Sequence, residues 1–212
     1  MKRAVVKLGG STTLDAEMDV WISALAGSEL PLVIVPGGGP FADQVRQSQQ
    51  RIGFSDRAAH AMAILAMDQF GHVILDRDDR LTAAHTREDI ETALSAGKIP
   101  VWLPSAWVIP APDIRASWDI TSDSLAAWLA GEIDAKALLL IKQSSNFSGH
   151  DDIAGLTKRG ILDAGFASIL PAGIDLHLAS PLDAAGAGAL LAASLLPGTK
   201  VQLAASPARK AG

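Results

Sequence analysis

Short apolar runs recur along the chain, at residues 4–8, 31–35, 99–103, 137–141, 175–179 and 200–203, and most lack the alternate polar positions of a strand with one wet face. Helix-period segments separate them, at 14–25, 41–52, 56–70, 87–96, 122–130, 158–167 and 182–195. Strands that are apolar on both sides and joined through helices predict a parallel sheet covered on both faces. The expected class is α/β, a three-layer α/β/α sandwich with an open, mostly parallel sheet. Ligands of such sheets bind beyond the carboxyl ends of the strands, so the residues that follow each strand are where chemistry is expected.

Composition narrows the partners. Of 212 residues, 49% are hydrophobic and 19% charged, which provides a sizeable core and excludes a disordered chain. With 18 Lys and Arg against 23 Asp and Glu the net charge is −5, so no basic surplus exists to displace counterions from a duplex, and nucleic acid is not an expected partner. The absence of cysteine excludes disulfides, zinc–thiolate sites, iron–sulfur clusters and thiol nucleophiles. The apolar N-terminal stretch is too short for a signal peptide, and the tract 184–196 falls short of the roughly 20 residues that span a bilayer. A cytoplasmic protein without a membrane span is expected.

The residues after the first two strands are glycine-rich. The first strand ends in Gly9-Gly10-Ser11-Thr12, and the second in Pro36-Gly37-Gly38-Gly39-Pro40 ahead of a helix. Glycine lets backbone N–H groups approach a ligand, and a helix N-terminus favours an anion, so two such loops point to two anionic groups. A single Gly-Gly pair reads equally as a tight strand-to-helix turn. Other motifs fail: no Gly-x-Gly-x-x-Gly opens a helix, Gly97-Lys98 is followed by Ile99 and forms no Walker A loop, and neither Gly-x-Ser-x-Gly nor His-Glu-x-x-His occurs. The run Asp76-Arg77-Asp78-Asp79-Arg80 reads as a solvated turn.

Three stretches carry a resemblance: Val5-Val6-Lys7-Leu8-Gly9-Gly10-Ser11, Val33-Ile34-Val35-Pro36-Gly37-Gly38-Gly39, and Ile120-Thr121-Ser122-Asp123-Ser124-Leu125. In order and spacing they resemble the amino-acid kinase superfamily, which includes acetylglutamate, aspartate, uridylate and isopentenyl phosphate kinases. Within it, Pro40-Phe41-Ala42-Asp43, the stretch 59–68 around His60, 117–123 and 156–163 are most similar to the aminomethylfuran phosphate kinases of methanofuran biosynthesis. The resemblance implies one domain over 1–205, with an acceptor-binding lobe to about residue 130, a nucleotide-binding lobe from about 131 and a tail at 206–212. It implies ATP with Mg²⁺, a small phosphate monoester as acceptor, a diphosphate product and a homo-oligomer. Uridylate or isopentenyl phosphate kinase-like activity is the alternative, and a non-catalytic nucleotide-binding sensor or storage protein on the same fold is the competing class.

An anionic acceptor needs no general base, so catalysis reduces to positioning and charge stabilisation. Lys7, alone in an apolar strand, suits the transferring phosphoryl group, since a buried ammonium is costly without a counter-anion. Without the glycine loop it would read as an edge lysine facing solvent. Asp123 opens a helix with Thr121 or Ser122 as the expected N-cap, and is worth about 0.3–1 kcal/mol as a first-turn acid. The resemblance adds that it orients the catalytic lysine; Asn in its place is expected to keep the fold.

The resemblance implies nucleotide contacts for Gly9, Gly10, Ser11 and Lys142, with 143–149 a loop near ATP. It implies acceptor contacts for Gly37, Gly38, Gly39 and His60. His60 shares a helical face with Ile64 and Met67 and reads equally as a core histidine. Trp118 and Asp119 are expected to form an acceptor wall, the ring facing an ammonium and the carboxylate pairing with it. The chain departs from the acetylglutamate pattern, having no Gly-Gly-Met-x-x-Lys, and Lys158 is the candidate second lysine in that region. It also lacks the Asp-x-x-Gly-Met of bacterial uridylate kinases. Mg²⁺ is expected to be held mainly by nucleotide phosphates and water.

Overall fold

The computed structural model describes residues 3–9 and 17–203. Gly10 and Ser11, expected to contact nucleotide, lie outside the described residues, as does the expected tail at 206–212. The elements follow in the order β1 (Ala4–Leu8), α1 (Glu17–Ala26), β2 (Leu32–Pro36), α2 (Gly39–Ile52), α3 (Asp56–Leu75), β3 (Leu81–Ala84), α4 (Arg87–Ser95), β4 (Ile99–Trp102) and α5 (Ser105–Val108). Then come α6 (Ser122–Glu132), β5 (Ala137–Ile141), α7 (Ile153–Lys158), α8 (Phe166–Ile169), β6 (Asp175–Ala179), α9 (Ala184–Ala192) and β7 (Thr199–Lys200). The sheet order is β3-β4-β2-β1-β5-β6-β7, parallel throughout except for the antiparallel edge strand β7.

The strands β1, β2, β4 and β5 are buried on both faces, as their apolar runs predict, and side chains alternate between two cores; β6 differs, with Asp175 exposed and His177 half-buried on one face. On one side Ala4, Val6, Leu8, Ile34 and Leu139 pack against α1 and α9 through Trp21, Ile22, Leu25 and Leu191. On the other, Val5, Val35, Leu138 and Leu140 pack against α6 through Leu125, Ala126 and Leu129. The result is a three-layer α/β/α sandwich. Alternation fixes the site: Lys7 has the parity of Val5 and therefore faces the α6 side. In register Lys7 pairs with Leu140 on the neighbouring β5, so Lys142, two residues beyond Leu140, leaves β5 on that same side.

Three departures from the sequence reading have local causes. β3 escapes it because Leu81-Thr82-Ala83-Ala84 offers neither an apolar run nor alternation, with burial only at its ends. The helix expected at 158–167 is instead mostly the turn between α7 and α8: Gly160 takes a left-handed φ of 69° just past the end of α7, and the turn carries Asp163 to the start of α6. The last strand is Thr199–Lys200 rather than 200–203. By length and composition α3 is the one described helix that could cross a membrane; here Ile64 and Met67 pack into one core and Phe70 and Ile74 into the other. The 76–80 charge run is a turn in which Asp78 pairs with Arg80 at 2.6 Å and Arg77 with Asp19 at 3.3 Å.

Candidate active site

At the carboxyl ends of β1 and β5 three charged side chains converge. Lys7 is 7% exposed and Asp123 3%, and the Lys7 Nζ lies 3.0 Å from Asp123 Oδ1. The other carboxylate oxygen, Oδ2, accepts from Lys142 Nζ. One buried carboxylate is thus shared by two ammonium groups from adjacent strands. Burial pushes the Asp123 carboxyl up, but the charges of Lys7 and Lys142 and their hydrogen bonds outweigh it and hold it below its ordinary value. Lys142 moves down: burial and, to a lesser degree, the like charge of Lys7 outweigh the attraction of Asp123 and Asp163. The cluster carries one positive charge more than its carboxylate neutralises, in a place where water is scarce. Such a site favours an anion.

The sequence reading of Asp123 as a fold-neutral first-turn acid needs correction on this geometry. Asn at 123 would leave two buried ammonium groups without their countercharge, which costs stability as well as chemistry. The α6 N-cap falls at a position the sequence indicates, but the capping bonds come from elsewhere. Thr121 is the N-cap residue but makes no side-chain capping bond. The role falls to Asp163, whose carboxylate accepts from the N–H groups of Thr121 and Ser124 at 3.0 Å each, from Thr121 Oγ1 at 2.6 Å and from Ser124 Oγ at 2.9 Å. Asp163 thereby frees Asp123 to turn its carboxylate to the lysines. Nothing in the local sequence reveals this, because the two residues lie 40 positions apart along the chain.

Beside Lys7 a cavity of about 240 Å³ is bounded by the start of α2, by α3 and by the segment leading into α6. Lys7, Gly38, Gly39, His60 and Trp118 all line it, as the sequence reading expects. Gly39 takes a φ of 54°, and a Cβ on Gly38 would sit 2.3 Å from that of Ala42, so neither position accommodates a side chain. The Gly37 N–H is already used, donating to the Leu8 carbonyl at 2.9 Å, so it ties the loop to the end of β1 rather than to a ligand. His60 is half-buried; burial lowers its imidazole more than a hydrogen bond with the Ser117 backbone raises it, which keeps the ring neutral at neutral pH. Ile64, Met67 and Leu125 supply apolar surface.

Two expectations about the wall change. The cation over the Trp118 ring is the chain's own Arg46, whose guanidinium carbon is 4.4 Å from the ring centroid, and the indole Nε1 donates to Gln49 Oε1 at 2.7 Å. Asp119 pairs with Arg115 at 2.8 Å on the surface and does not line the cavity. Asp43, which the sequence offers only within the Pro40–Asp43 resemblance, and Arg46, which it does not single out, also line the cavity; the signal is their helical spacing from Gly39. Gly9 follows β1 directly. Lys158 is exposed at the end of α7 and is not among the cations around Asp123, so the second lysine of the cluster is Lys142. Among the described residues no group of three His, Asp or Glu side chains is arranged to hold a metal.

Residues 59–151 match the model of the amino acid kinase family, so the resemblance read from the motifs holds over that stretch. The (5-(aminomethyl)furan-3-yl)methyl phosphate kinase of Methanocaldococcus jannaschii is 31% identical over 138 residues, which is 64% of this chain and 63% of the relative. The uridylate kinase of Archaeoglobus fulgidus superposes with a TM-score of 0.69 at 17% identity, covering 95% of this chain and 100% of that one. An aspartate kinase from Synechocystis gives 0.68 at 16% identity, covering 98% of this chain and 40% of that one. The fold is the amino acid kinase fold.

Proposed function

We propose that the chain is an ATP-dependent phosphotransferase that adds the γ-phosphoryl group to a small phosphate monoester, aminomethylfuran phosphate, giving a diphosphate in methanofuran-type cofactor synthesis. The observation that carries this reading is the buried Lys7–Asp123–Lys142 cluster, with its surplus positive charge, at the edge of a cavity fit for a small molecule. The acceptor class is supported by the name of the M. jannaschii relative, a phosphate kinase.

An acceptor phosphate is already a nucleophile, so no base is required. Lys7 and Lys142 hold oxygens of the transferring group, and Asp123 positions both lysines. As negative charge shifts to the bridging oxygen, fixed ammonium groups in a dry site stabilise it without reorganisation. The acceptor lies in the cavity between Gly38, Gly39 and His60, within the lobe formed up to about residue 130. ATP lies on the β5–β6 side, near Gly9, Lys142 and Lys158, and Gly10 and Ser11 belong to the same expected set of nucleotide contacts. On that side Gln143 Nε2 and Thr157 Oγ1 are buried without a hydrogen-bond partner, the kind of group a polar ligand satisfies. With no group of three acidic or histidine side chains placed to hold a metal among the described residues, Mg²⁺ would arrive on the nucleotide phosphates and neutralise part of their charge. A homo-oligomer acting in the cytoplasm completes the reading.

An acceptor panel tests it. ADP release would be measured with ATP and Mg²⁺ against aminomethylfuran phosphate, UMP, isopentenyl phosphate, acetylglutamate and aspartate, with the product identified by phosphorus NMR. Acceptor-dependent ADP and a diphosphate from aminomethylfuran phosphate are expected. Preference for a carboxylate overturns the acceptor class; nucleotide binding without turnover returns the chain to the sensor class.

A further inference from the structure

Along α2, Val45 is the buried residue, and the other side chains are half-buried or exposed. Gly39, Ala42, Asp43 and Arg46 follow the i, i+3, i+4, i+7 spacing of one helical face, and all four line the cavity beside Lys7. This face therefore borders the space an acceptor would occupy. Its two charged members are situated differently. Arg46 is stacked on Trp118, which Gln49 fixes from the next turn of the same helix. Asp43 makes no ion pair or hydrogen bond among the described residues and is the one acid in the cavity lining.

A free carboxylate in a cavity that must admit a phosphate dianion works against binding unless the ligand brings its own positive charge. An acceptor that bears only phosphate, or phosphate and a neutral body, meets Asp43 as a repulsive group; an acceptor with an ammonium turns it into a partner. Asp119, the carboxylate that the sequence indicates for this task, is engaged by Arg115 outside the cavity. Apolar Ile64, Met67 and Leu125 line the same cavity and suit a hydrocarbon spacer.

We infer that Asp43 is the specificity residue that receives the acceptor's ammonium group, with the acceptor's phosphate turned to Lys7, so that the site selects phosphate monoesters carrying an amine across an apolar spacer. This rests on the kinase reading above for the direction of the acceptor, and Asp43 takes no part in the transfer itself.

The test is a pair of ligands, aminomethylfuran phosphate and its analogue with the aminomethyl replaced by ethyl. Binding is read by titration calorimetry and turnover by ADP release, in wild type, Asp43→Asn and Asp119→Asn. Wild type is expected to bind the amine ligand about tenfold or more tighter than the ethyl ligand, the scale of a hydrogen bond to a charged group. Asp43→Asn, isosteric and on an exposed position, is expected to melt like wild type and to lose that preference, the change falling on KM rather than kcat. Asp119→Asn is expected to keep it. Equal binding of the two ligands by wild type, or a preference that survives in Asp43→Asn, overturns the inference. Turnover of both ligands at equal efficiency would do so while sparing the kinase reading. Asp43-dependent binding without ADP release sinks the kinase reading and spares the amine site.

Discussion

The two halves of the site are built in opposite ways. The Lys7–Asp123–Lys142 cluster is made by core elements, β1, β5 and the first turn of α6, and its side chains are almost closed to water. The cavity wall is made by one face of α2, an exposed helix, by α3 and by an irregular segment around Trp118. The rigid half rests on strand register and on a cap from Asp163; the adaptable half rests on a stacked Arg46 and a single hydrogen bond from the Trp118 indole to Gln49. Groups held on rigid, dry elements stabilise charge in a transition state, whereas groups on a solvated wall distinguish one ligand from another. Substitutions in the first half are therefore expected to act on kcat and those in the second on KM.

The largest effects should fall on the two lysines. Lys7→Ala and Lys142→Ala are each expected to lower kcat by about 100-fold or more, the scale of removing one preorganised donor, with nucleotide affinity much less affected. Lys158→Ala is expected to leave kcat within about threefold. Steady-state kinetics at saturating ATP and acceptor decide between them, and a reversal of Lys142 and Lys158 would break the cluster as drawn.

Next in size is the pH response of that cluster. Lys142 is held below the usual lysine range, so in the free enzyme it loses its proton at lower pH than an exposed lysine. The alkaline fall of kcat/KM is expected to reflect this, and the fall of kcat to lie at higher pH, because bound phosphates favour the ammonium form. Lys142→Arg should remove the early fall. Coincident profiles for wild type and Lys142→Arg would show that another group titrates.

Asp163→Ala leaves the first N–H groups of α6 and two hydroxyls without their acceptor, and is expected to cost roughly 1–3 kcal/mol in a denaturant melt. It should lower kcat as well, since α6 carries Asp123. A stability loss with unaltered kcat would show that the cap does not set the Asp123 geometry. The smallest change belongs to the wall: Trp118→Ala should weaken acceptor binding by roughly 0.5–2 kcal/mol through the loss of Arg46's stacking partner, with kcat little changed. Unaltered acceptor affinity would assign Trp118 to packing alone.

Much of the fold is legible in the sequence because the central strands β1, β2 and β5 are almost wholly buried and appear as apolar runs, Lys7 aside; β3, short and at the edge, leaves no such trace. Lys7 stands out for the same reason, as a charge where none belongs without a counter-anion. What the sequence withholds depends on register and distance. Lys142 looks like a residue after a strand until pairing places it two positions beyond the partner of Lys7. Asp163 sits in a turn that reads as helix. Asp43 and Arg46 resemble the solvated face of a polar helix until the topology sets that face against a cavity. Conversely, Asp119 has the right chemistry in the right neighbourhood and is paired with Arg115, and Lys158 is an exposed lysine outside the Asp123 cluster.

The central claim is that the buried carboxylate organises two lysines for phosphoryl transfer. The measurement that tests it most directly is the rate of acceptor-dependent ADP formation by Asp123→Asn, divided by the folded fraction from circular dichroism under the same conditions. The account predicts that the variant is less stable and that its rate per folded molecule falls by about 100-fold or more. A rate per folded molecule equal to that of wild type would contradict it, leaving Asp123 a structural countercharge and placing the chemistry elsewhere.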